Sequence, residues 1–232
     1  MKTNELVLVQ GMADTKAALA EWNRHPWRTL RVWLGWSLVT AIGLLFAVHV
    51  IATLSNPDPT PLTIPGVQRE PRLSDAGHVL FKNSLVLALH AMACVAGFLA
   101  GSAVPAQAKL RTGLSRWVHD KAGPFAIAFV VGATTFSLCT QAYVLGNATS
   151  TVAENLDMTP TTLLLALSIH AIPELTALFL PLAAWVVASR RGAWHELLAA
   201  TAVTVAVAAP VLFAACFVEV YVTPRLVASL SG

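Results

Sequence analysis

Residues 159–189 read TPTTLLLALSIHAIPELTALFLPLAAWVVAS, and this stretch decides the fold. Glu174 is its single residue of the types Asp, Glu, Lys and Arg, and His170 is its other ionisable side chain. A bilayer core of about 30 Å is crossed by roughly 20 helical residues, so the run is long enough to span a membrane but too long for one upright helix. Pro173 and Pro181 each remove a backbone hydrogen bond within it. We predict a break near Pro173, either inside one broken span or between a re-entrant segment and a span.

The rest of the chain has the same apolar character. Of its 232 residues, 56% are hydrophobic and 12% are charged, and the mean hydropathy is +0.66. Soluble domains carry roughly 25% charged residues. Four more apolar runs are long enough to span, at 32–54, 85–104, 124–144 and 197–222. These features exclude a soluble, disordered or disulfide-stapled protein, and they predict an all-α, polytopic helical membrane bundle of five to six spans, in a single integral domain over residues 1–232.

The distribution of Lys and Arg predicts the orientation of the bundle. Eleven of them fall in loops on the same side as the amino terminus, and four fall on the other side. Because cytoplasmic loops are enriched in cations, we expect the amino terminus to be cytoplasmic. The same loops account for the net charge of +3 and the pI near 9.0. No basic face interleaved with aromatic residues indicates a nucleic-acid partner.

Two cytoplasmic segments have the pattern of amphipathic surface helices. The first lies at 13–22 within an amino-terminal segment, 1–31, that precedes the first span. The second, at 109–119, places Trp117 and other apolar residues at i, i+4, i+7 and i+8, with Arg111 and Arg116 elsewhere on the helical wheel. Such segments either lie along the membrane surface or form a docking surface for a cytoplasmic partner.

The external loop at 55–78 contains five prolines. A stretch of this kind is semi-rigid and extended, and it does not form a folded domain. The loop is therefore either an arm that contacts a partner or a connector between spans.

Ionisable residues inside the spans are costly, so each one is a candidate functional residue. His170 and Glu174 are four residues apart and share one face of any helix through them. Such a pair can link helices by hydrogen bonding, form part of a substrate or proton path, or bind a catalytic metal. Glu219, near the end of the fifth span, is either a third member of this polar centre or a solvated residue at the outer interface. We expect no cofactor and no metal, because the sequence lacks H-E-x-x-H and any other complete ligand pattern.

Two further histidines and a glycine pair have simpler interpretations. His49 and His90 are single histidines on apolar faces, and interhelical hydrogen bonds explain such residues. Gly97 and Gly101 form a G-x-x-x-G pattern, which permits a neighbouring helix to approach closely. That neighbour lies either in the same chain or in a second copy, as in a homodimer.

Several of these residues together resemble a known family. His170-Ala-Ile-Pro-Glu174-Leu-Thr-Ala177 is similar to the H-G-I-x-E-L-x-A motif of the stage II sporulation protein M (SpoIIM) family, although Ala171 replaces the usual glycine. Phe217-Val-Glu219-Val-Tyr-Val-Thr223-Pro224 resembles that family's closing I-E-x-x-[IV]-T-P. Asn83 resembles the asparagine that starts an earlier span, and Gly97 and Gly101 match its glycine pair. The resemblance extends over residues 83–224.

The resemblance implies a bacterial cell membrane and two classes of non-enzymatic function. The namesake resembles a scaffold that acts with peptidoglycan hydrolases during sporulation engulfment. Relatives look like membrane components of circular-bacteriocin secretion and immunity systems, often beside an ATP-binding subunit. We therefore expect either an export subunit with a cytoplasmic ATPase partner or a scaffold that recruits envelope partners. An intramembrane metalloenzyme is the third alternative.

Overall fold

The computed structural model describes residues 7–58, 60, 64–103 and 113–231, without the side chains of residues 7, 8, 10, 103, 113–123 and 126. Within these residues, five helices are long and apolar enough to cross a membrane, which confirms the prediction of a polytopic helical protein. Their bounds are Pro26–Leu54, Leu73–Ser102, Ile127–Asn155, Pro160–Leu178 and Trp194–Leu230.

The chain is helical along nearly all of its described length. The α-helices are α1 (Val7–Arg24), α2 (Pro26–Leu54), α3 (Leu73–Phe98), α4 (Gly113–Asn155), α5 (Pro160–Leu178), α6 (Leu180–Arg191), α7 (Leu197–Phe217) and α8 (Thr223–Leu230). Two π turns continue α3 and α7, at Leu99–Ala103 and Val218–Val222. A 3-10 turn, Trp194–Glu196, precedes α7. The apolar pattern predicts neither the π turns nor α8.

The predicted break near Pro173 is in the wrong place. Helix α5 continues through Pro173 to Leu178, and the interruption is the single residue Phe179, with φ −86° and ψ −1°. Pro181 follows in the first turn of α6, where its missing N–H is tolerated. Pro181 cannot donate to the carbonyl four residues back, that of Ala177, and the helix is interrupted just before it.

Two predicted boundaries also shift. Helix α3 begins at Leu73, so the proline-rich loop ends at Arg72 and the span starts well before residue 85. Residues 113–119 of the predicted surface helix form the start of α4, while residues 109–112 lie outside the described residues. The amino-terminal helix predicted at 13–22 is confirmed as part of α1.

The chain divides into two compact units, each assembled from three stretches. Unit 1 comprises Met1–Ser37, Leu87–Thr134 and Phe179–Ala208. Its core is rich in aromatic rings, with Trp22 and Trp33 edge to face at 5.1 Å and Trp185 and Trp194 at 6.1 Å. Such pairs add to the free energy of apolar burial, by about 0.5–1.5 kcal/mol each.

Unit 2 comprises Leu38–Val86, Thr135–Leu178 and Ala209–Gly232. One buried cluster joins α4, α5 and α8 through Ala153, Leu163 and Val227. A second cluster joins α3 to the end of α7 through Ala76 and Cys216. Unit 2 therefore packs the carboxyl-terminal helix α8 directly against α5.

The described end of the proline-rich loop is folded, contrary to the prediction that the loop is extended. Gly66 has φ +82°, and its N–H donates to the carbonyl of Arg69 at 2.7 Å. Ile64 and Val67 pack on the cluster that joins α4, α5 and α8. The chain turns back here because two apolar side chains become partly buried, and the proline content alone does not reveal this gain in free energy.

The first part of the loop is tied to α4. The N–H of Asp58 donates to Thr151 Oγ1 at 3.1 Å. The hydroxyl and backbone N–H of Thr60 donate to Asp58 Oδ1, and these bonds hold the pKa of the Asp58 carboxyl below its usual value. The loop is thus anchored to unit 2 at both ends.

Candidate functional site

A buried polar centre lies in unit 2 where α5 meets the second π turn. His170 and Glu174 lie on α5, and Glu219 lies on the π turn. One ring nitrogen and two carboxylate oxygens, one from each residue, all lie within 4.8 Å of one another. Glu219 is therefore the third member of the centre predicted from the His170–Glu174 pair.

The two backbones place these three side chains together for different reasons. His170 and Glu174 are separated by one helical turn, so they project from one face of α5. In the π turn the N–H of Thr223 bonds to the carbonyl of Val218, five residues back. A π turn adds one residue to a helical turn and often occurs at functional sites. Helix α5 packs against this π turn and against α8.

Thr223 holds the imidazole of His170 in place. Thr223 Oγ1 lies 2.8 Å from His170 Nδ1, and both residues are buried, with exposed fractions of 2% and 7%. Because Nδ1 is occupied, Nε2 is the ring nitrogen left for another partner. When Nδ1–H donates to the hydroxyl, Nε2 carries a free lone pair.

Asn83 of α3 lies beside Glu174 and completes the polar centre. Among the described residues, neither Glu174 Oε2 nor Asn83 Nδ2 has a hydrogen-bond partner, although both atoms are buried. Lys82, on the exposed side of α3, interacts electrostatically with Glu219. Within the described part of the chain, the two carboxylates thus have one cationic neighbour, and that neighbour is exposed. A buried charge without compensation is costly, so this arrangement favours a bound cation or proton.

The polar centre forms part of the wall of a cavity of about 540 Å³ in unit 2. This volume lies within the range of small-molecule sites, roughly 300–1,000 Å³. Most of the wall is apolar and comes from α2, α3, α4, α5 and α8. Representative lining residues are Leu44, Val48, Val79, Leu145, Leu167 and Val227.

The folded end of the proline-rich loop forms another part of this wall. Ile64, Pro65 and Val67 line the cavity. The guanidinium of Arg69 donates to both carboxylate oxygens of Asp75, at 2.7 and 2.9 Å, and so fixes the loop to the start of α3. Bidentate pairs of this kind constrain geometry more than single ion pairs do.

A known protein family matches the part of the chain that contains most of the polar centre. Residues 114–224 match the family model described as SpoIIM, Stage II sporulation protein M. This segment belongs to the SpoIIM family. The SpoIIM segment covers just under half of the chain and includes His170, Glu174, Glu219 and Thr223. It begins later than the resemblance predicted, so Asn83, Gly97 and Gly101 lie outside it. No curated protein and no solved structure matches the chain.

The other predicted polar residues, His49 and His90, do not belong to the polar centre. His49 is half-buried on α2 and is not part of the cavity wall. His90 is buried in unit 1, where its ring lies 5.5 Å from that of Phe179. Both histidines therefore lie where side chains pack between helices, and they do not share a site with each other or with the polar centre.

Gly97 and Gly101 provide space for tryptophans of the same unit. A Cβ on Gly97 would lie 2.5 Å from Trp185 Nε1, and one on Gly101 would overlap the ring of Trp194. This G-x-x-x-G face is therefore covered within unit 1, as the intrachain interpretation predicts.

The predicted docking residues are three: Arg111, Arg116 and Trp117. Arg111 lies outside the described residues, and Arg116 and Trp117 are described only as backbone of α4. Their role in partner binding stays a prediction.

The sequence did not predict two parts of the polar centre and its cavity. In the sequence Thr223 stands out only as part of a family motif, although its position four residues after Glu219 could have indicated a shared face. The position of the folded loop beside the centre has no sequence signal, because it depends on contacts between α3, α8 and residues 64–69.

Proposed function

We propose that this chain is a non-enzymatic membrane subunit of an export or secretion complex. The cavity of unit 2 holds the exported molecule, and a separate ATP-binding subunit on the cytoplasmic side supplies the energy. The protein lies in a bacterial cell membrane with its amino terminus in the cytoplasm.

The observation that carries this proposal is the combination of a large apolar cavity and a polar centre in one membrane unit. A helix bundle that needed only to be stable would fill about 540 Å³ with side chains, since interiors are close-packed. Small-molecule sites combine mostly apolar walls with a few polar groups that orient the ligand. Glu174 and Glu219 are such groups here.

The chemistry of the walls favours an amphipathic cargo. The apolar part of the cargo would contact leucines and valines of α2, α4 and α5. Its polar end would lie at the carboxylates, which favours a cationic or hydrogen-bond-donating group. The sequence has no G-x-S-x-G or Walker motif, so neither acyl hydrolysis nor ATP hydrolysis is assigned to this chain.

The scaffold function receives less support from the described residues. It requires the proline-rich loop to be free for partners, whereas residues 64–69 pack on unit 2 and line its cavity. Deletion of residues 60–72 is therefore expected to damage the cavity as well as any recruitment.

Association with an ATP-binding subunit is tested by affinity purification of the tagged full-length chain from its native membrane in mild detergent. We expect an ATP-binding protein in stoichiometric amount, and ATPase activity in the purified complex. Arg111→Glu with Arg116→Glu is expected to reduce its recovery at least about tenfold, a change worth roughly 1.4 kcal/mol of binding free energy. Arg225→Glu, a charge reversal at an exposed residue of α8 that is predicted to lie on the other side of the membrane, is the matched control and should leave recovery unchanged.

Transport is tested separately in inside-out vesicles with the assembled complex. Glu174→Gln is expected to abolish cargo-stimulated ATPase activity while the variant still assembles. Recovery of envelope enzymes in place of an ATP-binding protein would overturn the export function and support the scaffold.

A further inference from the structure

The two carboxylates of the polar centre have no adequate counter-charge among the described residues. Glu174 and Glu219 lie within one 4.8 Å group with His170, and the one described cation that acts on either of them is the exposed Lys82. Two close carboxylates cannot both stay ionised in an apolar environment without compensation. A bound divalent cation would supply two positive charges at this point.

We propose that His170, Glu174 and Glu219 form a binding site for a divalent first-row transition-metal ion such as Zn²⁺ or Mn²⁺. One imidazole nitrogen and two carboxylate oxygens are a common ligand set for these ions, whereas Ca²⁺ and Mg²⁺ prefer oxygen ligands alone. This assignment concerns ion binding and does not depend on the proposed export function.

The spacing of the three ligand atoms suits such an ion after a small side-chain adjustment. With metal–ligand distances of about 2.1 Å and tetrahedral angles, ligand atoms lie about 3.4 Å apart. The present atoms all lie within 4.8 Å of one another, so closure requires movements of at most about 1.4 Å. Rotation about the glutamate side-chain torsions covers such a distance without a change in α5.

The neighbours of the ligands have the chemistry that supports a metal site. Thr223 Oγ1 occupies His170 Nδ1 at 2.8 Å, which orients the ring and leaves Nε2 for the ion. Histidine ligands usually form such a bond with their second nitrogen. Glu174 Oε2 and Asn83 Nδ2 are buried without partners among the described residues. If one oxygen of Glu174 binds the ion, the other can accept a hydrogen bond from Asn83, so both unpaired atoms become satisfied.

The cavity gives the ion a path and a free coordination position. All three ligand residues line it, so an ion could enter without opening the helix packing. Three protein ligands leave one position of a tetrahedral ion vacant, and that position would face the cavity. A water molecule or a hydroxyl group of a cavity ligand, each of which has a lone pair to donate, would fill it.

Metal binding is tested on the full-length chain in detergent, stripped with EDTA and then dialysed against Zn²⁺ or Mn²⁺. We expect one ion per chain by elemental mass spectrometry, and a higher melting temperature in the presence of the ion. Co²⁺ should give the visible absorption of a low-symmetry site with a nitrogen ligand. Glu174→Gln, Glu219→Gln and His170→Asn should each weaken ion binding at least about 100-fold. Loss of a residue that only hydrogen-bonds to a ligand usually costs about 10- to 100-fold in affinity, so loss of a ligand itself should cost more.

Two controls separate a lost ligand from a lost fold. Glu154→Gln on α4 and His49→Asn on α2 change the same residue types outside the centre and should bind the ion normally. Glu174→Gln should also raise the melting temperature of the metal-free protein, because a neutral amide avoids the cost of burying an ionisable carboxyl group beside Glu219. Absence of stoichiometric binding, or undiminished binding by Glu174→Gln, would overturn the proposal even if transport is observed.

Discussion

The imidazole of His170 and the hydroxyl of Thr223 lie 2.8 Å apart, and this bond joins α5 to the first residue of α8. Both groups are buried, and they are separated by 53 residues of sequence. The bond depends on the π turn Val218–Val222, which directly precedes Thr223. The polar centre is therefore held by a contact between distant parts of the chain.

Replacement of Thr223 by valine tests the importance of that contact. Valine keeps the shape of the side chain but removes the hydroxyl, so His170 Nδ1 loses its partner in a buried site. We expect a loss of about 1–3 kcal/mol in the free energy of unfolding, measured as a lower melting temperature in detergent. Affinity for Zn²⁺ should fall by about 10- to 100-fold, because the ring is less well oriented.

The matched control for that substitution is Thr53→Val on α2, where the hydroxyl is exposed and bonds only to the carbonyl of Val50. It should change neither the melting temperature nor the ion affinity measurably. Equal effects of the two substitutions would show that the His170–Thr223 bond has no special role.

Gly66 is expected to tolerate no side chain. Its φ of +82° is unfavourable for other residues, and a Cβ would lie 2.6 Å from the ring carbons of Pro224. Gly66→Ala should therefore lower the free energy of unfolding by at least about 1–2 kcal/mol and detach the loop from α8. Loss of the loop contact is measured as faster trypsin cleavage after Arg69 and Arg72.

Gly77→Ala provides the comparison, since Gly77 lies within α3 and a Cβ there would meet no atom within 4 Å. Alanine favours a helix over glycine by up to about 1 kcal/mol, so this variant should be as stable as the parent or more stable. A stable Gly66→Ala protein with an intact loop would contradict the folded-loop structure.

Gly97 is expected to act within unit 1 through Trp185. Gly97→Ala should destabilise the protein by roughly 1–3 kcal/mol, because it overpacks a buried interface. The effect should be smaller in a Trp185→Phe background, where the indole nitrogen that the Cβ would contact is absent. Thermal unfolding of the two single variants and the double variant measures this coupling.

Gly43→Ala is the neutral counterpart, because a methyl group added to Gly43 on α2 would meet no atom within 4 Å. It should leave stability unchanged. The alternative is that the glycine pair contacts a second copy of the chain. In that case the stability effects of Gly97→Ala and Trp185→Phe would be additive, and Gly97→Ala would shift a monomer–dimer equilibrium.

Cysteine labelling tests the orientation and the number of crossings. In a background without Cys94, Cys139 and Cys216, Asn56→Cys should react with a membrane-impermeant maleimide in intact cells, because the 55–72 loop is predicted to be external. His195→Cys should react only after the membrane is permeabilised. Labelling of His195→Cys from outside would mean that residues 159–189 enter and leave on the same side.

The membrane class and much of the polar centre follow from the sequence alone. An apolar run of bilayer length has few alternatives, because unsatisfied backbone groups are too costly in hydrocarbon. The pairing of His170 with Glu174 follows from helical periodicity in the same way. Both results depend on local spacing, which the sequence states directly.

The remaining features depend on contacts between distant residues. Pro173 and Pro181 both lie inside residues 159–189, and local spacing does not show that the helix continues through Pro173 and stops at Phe179. The π turn, which sets the positions of Glu219 and Thr223, differs from an α-turn by one residue and has no distinct apolar pattern. Only the tertiary structure brings Glu219, Thr223 and Asn83 to His170 and Glu174, because packing of α3, α5 and α8 decides which buried polar groups meet.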